Sequence, residues 1–593
     1  MEMKKKYSLS AIIIILGICA SANFWKEDRI KVDAPSYYTY LPAAFIYHDL
    51  HLDFIDTRPD FFRDKIWYYK IEGGSRLIKH PMGVSVALSP FFLVGHLITK
   101  MTGGVQDGYS LTYQNAVSVG VLLYLFLGLF YLRKLLLDYF SETITAITLF
   151  AVVVGTNLFW YSTFEGLMPH AVSFSFWCFS LYSFFRWLTT EQKKYIFIFA
   201  VCFGIIVLIR PFSIVGILYF IIQGIFSKRG IVSFITYLKL RFTPVMIAIV
   251  ISCAIASLQF FYWKYATGKW IYDVYIDEHF LFKSPQMLPF LFSFRKGLFI
   301  YTPILLFSII GLIKLFKSDK GLFYGTIITL FASIYVLSSW WAWSYGICWG
   351  MRPMIDYYAM LSIPLASGFS VFLSKGNLTK YITGIIISVL IILNLFQTWQ
   401  YKNGLIHYDD MTKESYFIGF FQTKESIAWK DALKPYDWGR RIKGLPQIEY
   451  SSKLIENLSD TDEIYFRGNN LYYWAINPKA ENMVGSYFED VKVESLFTLT
   501  PAGDGNVYIR ASNGYYLSAI HQYNNILAAT SGTPSNNEKF SIEYLKEGDN
   551  KIALKAANGK YLSVSTVFPY VVSASGNDIK SSEIMRFYIF NRE

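Results

Sequence analysis

Long apolar runs crowd the first two-thirds of the chain and stop near residue 400. Hydrocarbon offers no partner to a backbone N–H or C=O, so apolar runs approaching about 20 residues read as spanning helices. The pattern predicts eleven, at 7–25, 113–132, 143–162, 170–188, 194–210, 211–227, 242–262, 298–314, 321–340, 355–373 and 381–398. The shorter ones imply tilt or local thinning. The stretch 81–101 is a twelfth candidate and is placed as a juxtamembrane or re-entrant helix. Beyond residue 400 the period changes. Residues 401–455 form a polar and aromatic connector, and 456–593 alternate apolar and polar positions around Asn-Gly turns, the pattern of β-hairpins. The expected fold class is a polytopic all-α membrane domain over 1–400 followed by an all-β domain.

The β region repeats internally. Ile464–Trp474, Val507–Leu517 and Ile552–Leu562 are three versions of one hairpin, at offsets of 43 and 45, and each is matched by a closing strand at Phe497-Thr498-Leu499, Phe540-Ser541-Ile542 and Phe587-Tyr588-Ile589. Three units of about 45 residues with several short strands each suggest a β-trefoil. Asn513-Gly514 and Asn558-Gly559 make the turns in copies two and three, and copy one has Asn470-Leu471 instead.

Composition sharpens this. The 593 residues are 53% hydrophobic, 19% aromatic and 17% charged, against about 25% charged in an ordinary soluble domain. Disorder and a cytosolic globule are excluded. The +12 net charge suggests nucleic acid until its placement is read. With eleven spans, one set of loops and span ends carries Lys4, Lys5, Lys6, Arg133, Lys134, Arg186, Lys193, Lys194, Lys228, Arg229, Lys239, Arg241, Lys314, Lys317, Lys320, Lys375 and Lys380 against Glu2, Asp138, Glu142, Glu191 and Asp319. By the positive-inside rule these loops and the N-terminus are cytoplasmic and the β domain is extracytoplasmic. Counting 81–101 as a span would invert every later loop. Lys4–Lys6 and Ala20-Ser21-Ala22 also fit a cleavable signal peptide, which leaves the later topology unchanged. Four of the five cysteines fall in apolar runs, so no disulfide framework is available.

Candidate chemistry gathers on the outer side. The first outer loop, 26–112, opens with Asp33, Tyr37 and Tyr38 and continues to Lys79-His80-Pro81. Asp33 reads either as a solvated loop acid or as a carboxylate that takes a proton from an acceptor hydroxyl or holds a sugar hydroxyl. Glu165 and His170 share a short loop, Arg210-Pro211 interrupts an apolar run, Arg295 and Lys296 stand together, and Arg352-Pro353 follows the Trp340–Trp349 aromatic stretch. Singly, the cations can snorkel to headgroups, the tryptophans can form an interfacial belt, and the histidines can be structural. Jointly, one acid-bearing loop and several cations on one face suit a base with an anion clamp, and arginine's planar fork matches phosphate.

These segments, with KHPMG, LMPHAVSF, FSFRKGLFIYTP and WSYGICWGMRP, resemble the GT-C superfamily of membrane glycosyltransferases over residues 1–400. The likeness is to the group around protein mannosyltransferases and lipid A aminoarabinose transferases. It implies transfer of a hexosyl or pentosyl unit from a polyprenyl-phosphate donor to an acceptor hydroxyl on the extracytoplasmic face, with inversion. By that resemblance Asp33 is the catalytic residue, as the base or as the group that orients the acceptor. Arg210, Arg295, Lys296 and Arg352 bind the donor phosphate, and Tyr37, Tyr38, His80, Glu165 and His170 line the substrate. No cofactor is implied beyond the lipid-linked donor, and no second acid beside Asp33 favours a metal. The partners are a protein, lipid or glycan acceptor and membrane lipids, without nucleic acid. The location is an integral membrane one, most simply a bacterial inner membrane. The C-terminal units resemble fascin-like repeats through NGYYL and NGKYL, and either bind glycan or cap the outer face. A lipid-linked sugar flippase and a membrane-anchored glycan-binding protein are the alternatives. The first lacks an evident inverted repeat, and the second leaves ten spans unexplained.

Overall fold

In a computed structural model the chain forms two compact units, Met1–Lys424 and Glu425–Glu593. The structure describes residues 6–23, 29–71, 76–275, 278–434, 436, 441–442, 463–468, 472–488, 492–520, 525–545, 551–565, 570–580 and 582–590. Glu2, Lys4 and Lys5, the first repeat's Asn470-Leu471 and all of 443–462 lie outside them.

The first unit is helical. Each of the eleven apolar runs forms helix, several with a break. By length and composition five helices can cross a membrane: Gly83–Met101, Leu111–Leu136, Phe242–Thr267, Lys320–Ser338 and Asn377–Lys402. The 81–101 stretch, expected on one side, is thus long and apolar enough to cross. It packs closely on Leu111–Leu136, where Gly120 leaves room for the Phe91 ring. The run at 143–162 divides into Glu142–Val154 and Leu158–Thr163. Asn157 in the break bonds the Trp349 carbonyl at 3.1 Å and receives the Tyr358 hydroxyl at 2.7 Å. Pro211–Ser227 and Ile231–Leu240 meet at 100°. Two glycines let helices touch through backbone: Gly311 of Leu306–Ser318 lies on the Pro364 carbonyl, and Gly368 of Tyr358–Leu373 on the Phe307 carbonyl. Residues 401–424, read as connector, belong to this unit. Gln397 and Gln400 bond the Tyr416 hydroxyl and the Gly419 carbonyl at 2.8 and 2.7 Å.

The second unit carries twelve described strands. Glu463–Gly468, Phe497–Gly503, Asn506–Ala511, Lys539–Tyr544, Lys551–Ala556 and Met585–Phe590 pair successively, and the last returns to the first, closing a barrel. Three hairpins, Tyr473–Asn477 with Met483–Phe488, Tyr516–Ile520 with Ile526–Ser531, and Tyr561–Val564 with Val572–Gly576, are joined to one another and supply the three-fold order the repeats predict. The core is filled by alternating strand positions, including Ile464, Phe466, Trp474, Phe497, Ile509, Leu527, Phe540, Leu554 and Phe587. Equivalent turns use equivalent atoms. Asn513 accepts from the Tyr515 N–H at 3.1 Å and Asn558 from the Lys560 N–H at 3.0 Å. The following Gly514 and Gly559 have φ of 86° and 74°, which side-chain-bearing residues rarely adopt.

Candidate functional site

Two Arg-Pro steps build the site. A residue before proline is driven out of the helical region. At Arg210 the Lys193–Ile209 helix therefore stops in an extended residue, and Pro211 opens a 3-10 turn. Pro353 similarly follows Arg352 within the 3-10 turn Arg352–Tyr357. Each arginine thus stands at a chain break, where its side chain can leave the helix axis.

Asp33 precedes the short helix Ala34–Tyr38 but makes no side-chain cap bond to it. An acid at that position ordinarily caps its own helix. Here the carboxylate instead receives Arg352 Nη1 at Oδ2, 2.8 Å away. Val32 just before it has φ of 57°, a costly conformation for a β-branched residue, and strain of this kind gathers at functional sites. Burial raises the Asp33 carboxyl, but the charge and hydrogen bond of Arg352, with His80 and His170, outweigh it and hold the group below its ordinary value.

The second pair shares the same turn. Asp356, four residues after Arg352, accepts from Arg210 Nη1 at 3.3 Å and from the Ser213 hydroxyl at 3.5 Å. His170 Nδ1 lies 3.9 Å from Asp356 Oδ1 and 3.4 Å from Arg210 Nη1, and its ring packs edge-on to Tyr161. Asp356 is 2% exposed, and its Oδ1 has no hydrogen-bond partner among the described residues. The Arg352–Tyr357 turn therefore clasps the Asp33 loop with one end and the Arg210 break with the other.

Tyr37 and His80 complete the cluster, their rings 4.5 Å apart. Ser36 receives the His80 N–H at 3.2 Å and Tyr40 bonds the His80 carbonyl at 2.8 Å, so the KHP segment is fastened to the short helices after Asp33. Burial pushes the His80 imidazole down to about 4 against the pull of Asp33, so it is neutral at pH 7. Its buried Nδ1 has no hydrogen-bond partner among the described residues. Next to it Lys79 pairs with Glu278 at 2.5 Å and lies over the Tyr275 ring, tying in the loop after Phe242–Thr267.

The remaining sequence candidates stand elsewhere. Tyr38 turns away, its hydroxyl bonding the Gly108 carbonyl at 2.6 Å. Arg295 pairs with Asp409 and Asp410 at 3.6 and 3.7 Å. Lys296, 2% exposed, donates to the carbonyls of Gly346 at 3.0 Å and Cys348 at 2.5 Å. Both act on the loop that delivers Arg352: Lys296 directly, and Arg295 through Asp409, which accepts from Ser344 at 3.0 Å. That loop turns through left-handed residues at Tyr345, Gly346 and Gly350. Glu165 lies within electrostatic reach of Tyr161 and Tyr401.

The structure thus gathers Asp33, Tyr37, His80, His170, Arg210 and Arg352. Asp356 was missed by the sequence reading. Its available signal was an acid at the start of an apolar run, where a charge is expensive. Among the described residues no three His, Cys, Asp or Glu side chains assemble as metal ligands. Chemically, the cluster offers a partly exposed carboxylate, two guanidinium groups and two histidines.

No protein-family model and no curated protein sequence matches the chain. Its neighbours among solved structures include the apo Archaeoglobus fulgidus oligosaccharyltransferase, at 13% identity and a TM-score of 0.38, covering 73% of this chain and 59% of that one. Another is the S. cerevisiae protein O-mannosyltransferase Pmt1–Pmt2 complex bound to the sugar donor, at 10% identity and a TM-score of 0.24, covering 99% and 64%. A third is ThreeFoil, a designed three-fold symmetric protein, at 16% identity and a TM-score of 0.20, covering 21% of this chain and 97% of that one. The chain spans less than two-thirds of the length of the two transferase structures.

Proposed function

We propose that the chain is a membrane glycosyltransferase of the GT-C type, moving a sugar from a polyprenyl-phosphate donor to an acceptor hydroxyl on the extracytoplasmic face. The observation that carries this reading is the Asp33–Arg352 pair beside Arg210–Asp356, because it combines a proton acceptor with two groups suited to a phosphate.

In this reading the donor phosphate enters beside Arg210 and Arg352. The donor is a phosphodiester with one negative charge, and its two unesterified oxygens match a guanidinium fork, so Arg352 shifts its bonds toward it. Asp33 then loses the charge that depresses it and becomes a stronger base. The acceptor oxygen attacks the anomeric carbon from the side opposite the phosphate. The O–H proton passes to the Asp33 carboxylate as the bond from anomeric carbon to phosphate oxygen breaks. Polyprenyl phosphate leaves with the electron pair, its charge met by Arg210 and Arg352. Neutral His80 and Tyr37 bound the sugar side through hydrogen bonding and ring contact. The residues alone supply charge stabilisation, without a metal.

The test is transfer by the purified full chain from polyprenyl-phosphate hexoses and pentoses, with Asp33→Asn alongside. The expected result is turnover in the wild type and a loss of about 10²–10⁴-fold in the variant, the range for removing an acid–base group. Full activity in the variant would remove Asp33 from the mechanism.

A further inference from the structure

A second charged region lies at the other end of the bundle. From Arg210 the chain runs through Pro211–Ser227, about 25 Å at 1.5 Å per residue, before reaching Lys228. There it turns by 100° into Ile231–Leu240. Pro211–Ser227 packs on the candidate span Lys320–Ser338, Tyr219 against Gly325 and Phe226 against Tyr324, so a helix at right angles to it lies in the membrane plane.

That helix buries only Phe234 and Tyr237. Phe234 fits against Gly224, and Tyr237 packs on Trp187. Ile231, Val232 and Ile235 are 59%, 74% and 45% exposed, and Phe242 just after it is 64% exposed. An apolar strip beside a polar one on an in-plane helix is the pattern of an interfacial segment.

Charge decides what covers it. Among the acids at this end Asp319 caps Lys320–Ser338 by accepting the Leu322 N–H, and three others are in ion pairs. Glu191 pairs with Arg241 and lies 3.9 Å from Lys228, and both cations sit 4.1 Å over the Tyr237 ring. Asp138 pairs with Arg186 and Glu142 with Arg133. Arg229, in the left-handed conformation at the bend, and Lys239 on the helix are exposed and have no ion-pair partner among the described residues. An apolar face bracketed by two uncompensated cations complements an anionic headgroup above acyl chain.

We propose that Ile231–Leu240 lies in the headgroup layer of the leaflet away from the Asp33 site and binds anionic phospholipid through Arg229 and Lys239. This inference is independent of the transferase reading.

Native mass spectrometry of the full chain tests it, with phosphatidylglycerol and phosphatidylcholine of the same acyl chains as probes. The expected result is preferential retention of phosphatidylglycerol. R229Q/K239Q should lower that preference by roughly thirty-fold, about fivefold per cation. K375Q/K380Q, a control at two exposed lysines on a different loop, should leave it unchanged, and thermal melting should show that both variants are folded. Equal retention of the two lipids by the wild type would overturn the proposal. So would survival of the preference in R229Q/K239Q, equal loss in K375Q/K380Q, or displacement of the lipid by excess inorganic phosphate.

Discussion

Arg352 and Asp33 are 319 residues apart in the chain, and their side chains meet at 2.8 Å. The pair joins the loop that opens at Asp33 to the turn before Tyr358–Leu373, and it keeps the carboxylate charged while its partner can move to another anion.

Arg352→Gln tests that coupling. Burial then acts on Asp33 with less opposition, so its carboxyl should rise and the acidic limb of the pH–rate profile should move to higher pH. The turnover number should fall by about 10²-fold or more, as for other lost charge stabilisers. The stability effect has a defined sign. A depressed carboxyl stabilises the fold above its unfolded-state value, and the benefit fades as pH drops through the folded value. Melting curves of wild type and variant should therefore differ most at neutral pH and converge in acid.

Asp356→Asn leaves Arg210 without its carboxylate while preserving shape. Removing one member of a buried pair costs about 3–5 kcal/mol, and the 19% exposure of Arg210 places this case at or below the lower end. Melting should fall, and the donor KM should rise more than kcat drops, since Arg210 holds phosphate in both ground and transition states. A fall in kcat alone at unchanged KM would contradict this assignment.

Lys296→Met should loosen the loop that presents Arg352. It leaves the Gly346 and Cys348 carbonyls without their donor, at about 1–3 kcal/mol for each buried group. The measurements are a lower melting temperature and faster proteolysis within 340–350. Donor transfer should weaken even though Lys296 stands outside the Asp33 cluster.

Gly311→Ala and Gly368→Ala should each destabilise the helical unit. A methyl at either position would overlap a carbonyl of the facing helix, at Pro364 or Phe307. Rigid helix backbones cannot yield as a side-chain tip can, so overpacking costs of about 1–3 kcal/mol are expected in thermal unfolding.

Much of the site was legible because cost marks position. Charges beside apolar runs are expensive, so Asp33, His170, Arg210 and Arg352 stood out against their surroundings. The rest was not legible, because residue type does not reveal a partner. Arg295 and Lys296 carried the same signal as Arg210. Only the fold shows one meeting Asp409 and Asp410 and the other feeding the carbonyls of a left-handed turn. Asp356 received no role because it lies where an apolar run begins, and its meaning depends on Arg210, 146 residues earlier. The Gly83–Met101 helix shows a different limit. Its length and hydropathy suit a span, whereas the charge pattern of later loops argues for one side.

Periodicity is local, so the chain by itself determined the helical unit, the strand unit and the three-fold repeat. The Asn-Gly turns belong with these, since their left-handed residues can be recognised from two neighbours. Pairing is not local. A closed barrel requires Met585–Phe590 to meet Glu463–Gly468, and a working cluster requires residues 33, 80, 170, 210, 352 and 356 to converge. Those meetings follow from helices packing at fixed distances and from two Arg-Pro breaks pointing inward, which only the tertiary structure decided.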